Sequence, residues 1–558
     1  MKFKDMPYQR LEYDKVKQEF DKILAEFKAA KSGEQQFEVH KKKYQLFDDI
    51  MTTITLCEIR NSIDTTDPFY EDEKAYCDEI QPLIENMQHD YEKALEESKF
   101  RDYLEEKIGK VAFKNIEIGQ KAFDEKLIPL MQEENTLVTE YNKLIASAKI
   151  EWDGETLNLS LLRKYLTNAD REIRRKAYQK YSAFFEKNGA ALDEIYDKLV
   201  KNRTSQAKLM GYDNFVELGY YRVNRNCYDA NMVNTFRSQI KEYFVPLAEK
   251  VHERRRARLG VDQLSFIDRD VYFKNGNPEP TGTPEQIMEA GTTMYHELSE
   301  ETKEFIDFMT ENELFDVLGR KTKQAGGYMT FLPKYDAPFI FANFNGTCDD
   351  VNVITHECGH AFQGYLTAKD PIKEHLDLTM ETAEIHSMSM EFFARPWLHL
   401  FFGERTEEFL EMQLEDAIVF IPYGCMVDEY QHIVYEHPEL SPKERNAAWR
   451  KLEKTYMPHL RYEESPYLET GTYWQKQQHI YNDPFYYIDY CIAQICAFQY
   501  KVKMDEDYKK AWESYLSLCR ASASDFFVNL IKDAGLENPF EDGCIKKLVE
   551  KLEGQLNK

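Results

Sequence analysis

The sequence predicts a mainly α-helical protein with a small β-sheet next to one particular helix, and three observations carry this. Apolar residues recur at helical spacing through long charged stretches, as at Phe20, Ile23, Leu24 and Phe27. Alternating, strand-like patterns are found mainly in two short segments, 149–162 and 322–346. The second precedes His-Glu-x-x-His at His356, Glu357 and His360, a spacing that stacks i and i+4 side chains on one helix face.

From Met1 to about Ile145 the chain is charged and poor in Gly and Pro, which predicts long antiparallel helices whose charge runs are solvated faces. Lys149 to Leu162, KIEWDGETLNLSLL, holds Asp153-Gly154 between alternating segments and predicts a hairpin with a primed turn. A helix is expected to start near Thr167, capped with Asp170 three residues on, and to run through REIRRKAYQKYSAFF. Another follows across DEIYDKLVKNRTSQAKLMGYDNF and stops around Gly211. Helical patterning resumes from Phe236 to Leu259 and ends in RRRARLG, Arg254 to Gly260. That run is short and lacks interleaved aromatics, so it is expected to complement a helix C-terminus rather than bind nucleic acid.

The Pro- and Gly-dense loop from Lys274 to Thr283 leads to a helix beginning at Thr283-Pro284. Thr322 to Gly346 is the main β region, with an edge strand expected over Phe339 to Phe344. Gly326 and Gly327 allow backbone to approach closely or a loop to move. Beyond the His-Glu-x-x-His motif, helices run to the C-terminus. The Tyr-rich stretch from His479 to Tyr500 suits either a packed core or a polar cleft.

At 558 residues, with 42% hydrophobic and 14% aromatic residues, the chain has ample material for a large core or several subdomains. A formal net charge of −27 argues against a nucleic-acid partner, which would need Lys and Arg clusters. The charged N-terminal stretch lacks the apolar core of a signal peptide, and no apolar run approaches membrane-spanning length. Ten scattered cysteines without Cys-x-x-Cys spacing fit a reducing compartment, so the cytoplasm is expected.

His356 and His360 can offer two imidazoles to one zinc ion, while Glu357 stands where a general base reaches water held by the metal. Cys358 projects off that face and reads as packing. A catalytic zinc takes a third protein ligand and leaves one position open. Gln363 and Leu366 stand where the metzincin pattern needs Gly and His, so that class is excluded. Glu374, His375, Glu381, Glu384, His386 and Glu391 remain as candidates. Several of the acids share one helix face, where they would repel one another without a cation, and a carboxylate from that helix is the economical third ligand.

The segment resembles the thimet oligopeptidase and oligoendopeptidase F family of zinc metallopeptidases, most of all its bacterial oligoendopeptidase F and Pz-peptidase members. In that family a Glu-x-x-Ser-x-x-x-Glu helix follows the motif, matched here by Glu384, Ser387 and Glu391. DREIRRKAY (Asp170 to Tyr178), RTSQAKLMGYDNF (Arg203 to Phe215) and PFYYIDY (Pro484 to Tyr490) extend the likeness. The resemblance implies that Glu384 is the third ligand of one zinc per chain and that Glu391 and Asp350 orient the ligands from behind. It implies too that His479 and Tyr490, with Tyr486 or Tyr487, bind the substrate carbonyl. Gly326, Gly327 and Gly346 are expected near the bound peptide.

The implied fold is a helical shell around a deep substrate channel, with an N-terminal helical region over 1–200 and a catalytic region over 201–558 packed as one body. The implied activity is hydrolysis of internal bonds in short unfolded oligopeptides, with no nucleic-acid or membrane partner. A metallocarboxypeptidase or dipeptidyl carboxypeptidase is the rival, and it would need a cationic group for the substrate C-terminus. A non-enzymatic peptide-binding protein is less consistent with the presence of Glu357.

Overall fold

The computed structural model describes residues 1–320, 322–324, 326–462 and 465–556. Along the chain, helix α1 (Tyr13–Ala29), α2 (Gly33–Ile63) and α3 (Pro68–Glu96) come first. Ser32 and Asp67 accept backbone N–H bonds at the starts of α2 and α3. Phe20, Ile23 and Phe27 of α1 pack with Phe47, Ile50 and Ile54 of α2 and Ile80, Ile84 and Met87 of α3 in one buried cluster, as the helical spacing predicts.

Helix α4 (Ile128–Ala146) precedes a hairpin of β1 (Ile150–Trp152) and β2 (Glu155–Leu157). Its turn residues Asp153 and Gly154 both have positive φ, 49° and 85°, which is the primed turn expected there. Helix α5 (Arg171–Leu209) differs from expectation twice. Thr167 closes a short helix, Leu159–Leu166, and it is Asp170 that caps α5 by accepting from the Glu172 amide. The two helices expected before Gly211 are one, because a buried stripe through Ala177, Phe185, Leu192, Tyr196 and Leu199 runs unbroken along it. The expected boundary between residues 200 and 201 falls inside this helix.

Helix α6 (Val245–Leu259) ends at Gly260 with Arg256 and Arg258 in its last turn, as the basic run implies. Helix α7 (Pro284–Leu298) starts with Thr283 and Gln286 in a capping box. Strands β3 (Phe315–Leu318), β4 (Tyr328–Leu332) and β5 (Ala337–Phe344) form a sheet in the order β3-β5-β4. β3 is parallel and β4 antiparallel to β5. The strand expected at an edge, Phe339 to Phe344, is therefore central, and almost all of its residues are buried instead of alternating. The edge is β4. Helices α8 (Cys348–Thr367) and α9 (Met380–Phe393) follow.

The chain divides into two compact units, each assembled from three segments. The first comprises Met1–Glu117, Glu279–Thr406 and Lys503–Leu536. Within it α2 packs against β4, and the Lys334 N–H donates to Thr52 Oγ1 at 2.9 Å. Tyr295 of α7 donates its hydroxyl to the Ile354 carbonyl of α8 at 2.8 Å, and Tyr515 donates to the His386 carbonyl of α9 at 2.8 Å. These bonds seat α8 and α9 against their neighbours. No helix among the described residues is long and apolar enough to cross a membrane.

The second unit comprises Ile118–Pro278, Glu407–Val502 and the residues from Glu537 onward. Its α4 and α5 pack together around Glu134, which accepts from Arg203 Nε at 2.6 Å, Gln206 Nε2 at 2.7 Å and Arg222 Nη1 at 3.0 Å. Burial alone would raise the Glu134 pKa, but the two guanidinium groups outweigh it and hold it at about 2. A depressed carboxylate stabilises the fold above its unfolded pKa and loses that contribution as the pH falls through its folded value. Glu134→Gln is expected to cost about 3 kcal/mol at neutral pH. Its urea midpoint should also fall less steeply than the parent's between pH 4.5 and 2.

Candidate metal centre

The turn from β5 into α8 is fixed by one carboxylate. Asp350 is 2% exposed and accepts from the Asn345 N–H at 2.9 Å and the Gly346 N–H at 2.8 Å. Thr347 caps the helix by accepting from the Asp349 amide. Asp350 thus holds the entry to the helix, and acts on the histidines through the backbone that carries them. His356 and His360 project from one face, with ring centroids 5.1 Å apart and planes 82° apart.

Helix α9 approaches α8 unusually closely, and Gly359 is why. A Cβ at that position would lie 2.6 Å from the Ser387 Cα and 2.9 Å from the His386 carbonyl oxygen. With no side chain in the way, Glu384 Oε2 comes to 3.4 Å from His356 Nε2 and 3.7 Å from His360 Nε2. Ligands at zinc-like bond lengths of about 2.05 Å in a tetrahedron lie about 3.4 Å apart, so these spacings fit one ion. Ser387 Oγ donates to Glu384 Oε2 at 3.1 Å and steadies it. Glu391 Oε1 lies 2.7 Å from His356 Nδ1, which places the ring proton on Nδ1 and leaves Nε2 as the donor atom to a metal.

Burial opposes charge on His356, yet bonding to Glu384 and Glu391 lifts its pKa well above the ordinary imidazole value. Burial likewise opposes ionisation of Glu384, but His356 and His360 hold it at about 2. His360 is pushed down to about 4, first by burial. Glu357 goes the other way: burial raises its pKa, and nearby Glu384 adds to the rise. The two carboxylates are thus shifted in opposite directions, Glu384 down and Glu357 up.

The remaining candidates for third ligand are engaged elsewhere. Glu374 bonds His40 at 3.0 Å and also accepts from the Tyr44 hydroxyl. His375 lies 2.9 Å from Asp370, Glu381 accepts from Thr379 at 2.6 Å, and buried His386 faces Cys519. Cys358 is buried and is not among the clustered donors. Gly326 and Gly327 lead into β4, and Asn343 of β5 donates to the Gly326 carbonyl at 2.8 Å, so this loop is tied to the sheet.

His479, Tyr486, Tyr487 and Tyr490 belong to the second unit and cluster there. The His479 ring centroid lies 4.9 Å from Tyr487, 5.9 Å from Tyr486 and 6.0 Å from Tyr490. The Tyr423 hydroxyl donates to Gln477 Oε1 at 2.7 Å, which turns the amide so that Nε2 donates to His479 Nδ1 at 2.9 Å. Burial lowers the His479 pKa. The ring is therefore neutral with its proton on Nε2, a hydrogen-bond donor. Gln477 and Tyr423 went unnoticed in the sequence. Gly359 carried a signal, since a glycine inside a helix between two ligands points to a close packing partner.

Residues 3–123 match the Peptidase M3 N-terminal domain, and residues 164–550 match Peptidase family M3. The chain belongs to peptidase family M3. It is 21% identical over 460 residues to the oligoendopeptidase F homolog of Borreliella burgdorferi, covering 75% of this chain and 74% of that one. To the oligopeptidase PepF of Bacillus subtilis it is 22% identical over 404 residues, covering 70% of this chain and 58% of PepF. The structure of PZ peptidase A with an inhibitor superposes with a TM-score of 0.94 at 46% identity, over 100% of this chain and 99% of that one. A crystal structure assigned to oligoendopeptidase F does so with 0.94 at 44% identity, over 100% and 99%.

The family implies a metal, and the convergent donors of α8 and α9 fit one. Removing the acceptor behind His356 by Glu391→Ala is expected to weaken metal binding roughly 10- to 100-fold in competition with a chromogenic chelator. Glu374→Ala, which removes a carboxylate bonded to His40 and Tyr44, should leave metal affinity unchanged.

Proposed function

We propose that the protein is a zinc-dependent endopeptidase that cuts internal bonds of short, unfolded oligopeptides. The observation that carries this reading is the convergence of donor atoms of His356, His360 and Glu384 within 4.8 Å of one another, Glu384 Oε2 lying 3.4 and 3.7 Å from the two Nε2 atoms, with Glu357 next to His356 in the chain. Two imidazoles and one carboxylate suit zinc, and three protein donors leave a coordination position open. When bound there, zinc would supply Lewis acidity to the scissile carbonyl and to water.

Glu357 is the general base of this reading. Its raised pKa makes it a better proton acceptor than an ordinary carboxylate, and the same group then returns the proton to the leaving amine. The family pattern assigns the substrate carbonyl to His479 Nε2–H and the Tyr490 hydroxyl, with Tyr486 and Tyr487 beside them. The edge of β4 offers backbone N–H and C=O groups to an extended peptide, near the loop of Gly326, Gly327 and the turn at Gly346. The names of the relatives, oligoendopeptidase F and oligopeptidase, support short peptides as substrates. The ten cysteines form no disulfide among the described residues, which supports a reducing cytoplasm.

Glu357→Gln is expected to keep one zinc per chain by elemental analysis while kcat on an internally quenched peptide falls roughly 100- to 10,000-fold. Near-parental turnover in that variant would overturn the mechanism, and failure of the parent to cut a C-terminally amidated peptide would favour the carboxypeptidase rival. Tyr490→Phe is expected to lower kcat roughly 100-fold with KM nearly unchanged, because a donor aimed at a developing oxyanion acts in the transition state.

A further inference from the structure

One donor cluster of the second unit has no part in the chemistry above, and one cavity there adjoins it only through Tyr423 and Tyr487. Glu249, His252 and His459 bring three ligand atoms together, which invites a second cation. Their geometry speaks against it. The His252 and His459 rings stack face to face, with centroids 3.5 Å apart and planes 28° apart, and His459 Nδ1 is already 2.7 Å from Glu249 Oε1. Arg255 Nη1 lies 3.4 Å from His252 Nδ1 and would repel a metal ion there.

His252, Arg255 and His459 edge a cavity of about 190 Å³. Arg255, Arg269 and Lys476 line it, together with Asp268, Asp270 and Asp416. The acids are engaged: Asp268 by Arg171 and Arg174 at 2.8 Å each, Asp270 by the Tyr178 hydroxyl at 2.8 Å and Asp416 by the Tyr272 hydroxyl at 2.6 Å. Of the three cations only Arg269 has a carboxylate within ion-pair distance, Asp270 at 3.3 Å, while Asp416 and Asp270 act on Arg255 and Lys476 from farther off. Arg255 is 1% exposed, directs one Nη at the carbonyls of Asp268, Arg269 and Val271, and leaves its buried Nε without an acceptor among the described residues.

Lys476 sits over the rings of Tyr423 and Tyr473 and has no ion-pair partner among the described residues. Burial, then the neighbouring Arg269, push its pKa down to about 7 against the opposing pull of Asp270. Another part of the wall is apolar, with Phe420, Met457 and Leu460. Tyr487 completes the lining, and its ring lies 4.9 Å from His479, in the cluster assigned to substrate.

We infer that this cavity is a carboxylate subsite for the peptide substrate, with Lys476, Arg255 and Arg269 as its cations and the apolar wall for the adjoining side chain. The inference rests on the oligopeptidase reading and names a substrate feature that reading leaves open. The carboxylate comes from the peptide C-terminus or from an acidic side chain, and both share this chemistry.

The test is calorimetric binding to the full-length Glu357→Gln protein. The probes are one hexapeptide as the free acid, the same peptide as the C-terminal amide, and the amide with Glu as its last residue. The free acid is expected to bind roughly tenfold more tightly than the amide. Recovery of that affinity by the Glu-containing amide would assign the carboxylate to a side chain, and its failure to recover would assign it to the C-terminus. The preference should vanish in Lys476→Met and survive in Lys476→Arg, with melting curves confirming that both fold. Equal affinity for all three peptides overturns the inference without any variant, as does a preference that persists in Lys476→Met. Lack of cleavage by the parent protein would count against the peptidase reading alone, since the binding comparison uses no turnover.

Discussion

The close passage of α9 across α8 at Gly359 is the constraint on which the metal centre depends. Two helices normally keep about 8 to 10 Å between axes, and side chains at the crossing set that distance. Here the backbone of Ser387 and His386 lies where a Cβ of residue 359 would stand. That closeness lets a short carboxylate arm, Glu384, span the gap to two imidazoles on the neighbouring helix, and lets Glu391 reach His356 from behind. Burying several acids together is unfavourable unless positive charge is supplied. The site answers this by setting His356 and His360 against Glu384, with His356 also bonded to Glu391.

Much of the local structure was legible in the sequence, because its determinants lie within a few residues of each other. The Asp153-Gly154 turn, the end of α6 at Gly260 and the Thr283-Pro284 start of α7 each depend on the backbone preferences of one or two residues. Thr167 misled because Ser, Thr and Asp are all good caps, and which one is used depends on where the preceding helix stops. The position of β5 within its sheet was not legible at all. Strand order is set by partners far apart in sequence, and a nearly continuous apolar run marks a strand covered on both faces, which β5 is.

The site shows the same division. The i, i+4 histidines and the intervening glutamate are a local pattern, and local reasoning finds them. The third ligand is not local: six downstream His and Glu residues were eligible, and choosing Glu384 on residues alone required a family likeness. In the folded chain Glu374, His375, Glu381 and His386 have other partners, Glu391 is on His356 Nδ1, and Glu384 is the acid grouped with both histidines. The tautomer of His479 is further still from the sequence, for it depends on a relay through Gln477 to Tyr423, on a distant helix. Composition is blind to where opposite charges meet.

That blindness bears on the cavity of the second unit. The chain carries 99 acidic against 72 basic residues, so carboxylates to neutralise a buried cation are in surplus. Elsewhere the fold uses them: buried Arg203, Arg237 and Arg225 each have a carboxylate within 3.0 Å. Arg255 and Lys476 stand out against that background, because they face the same cavity and neither has an ion-pair partner among the described residues. Carbonyl oxygens and more distant acids answer part of their charge, and the space between them is where an incoming carboxylate would meet the rest.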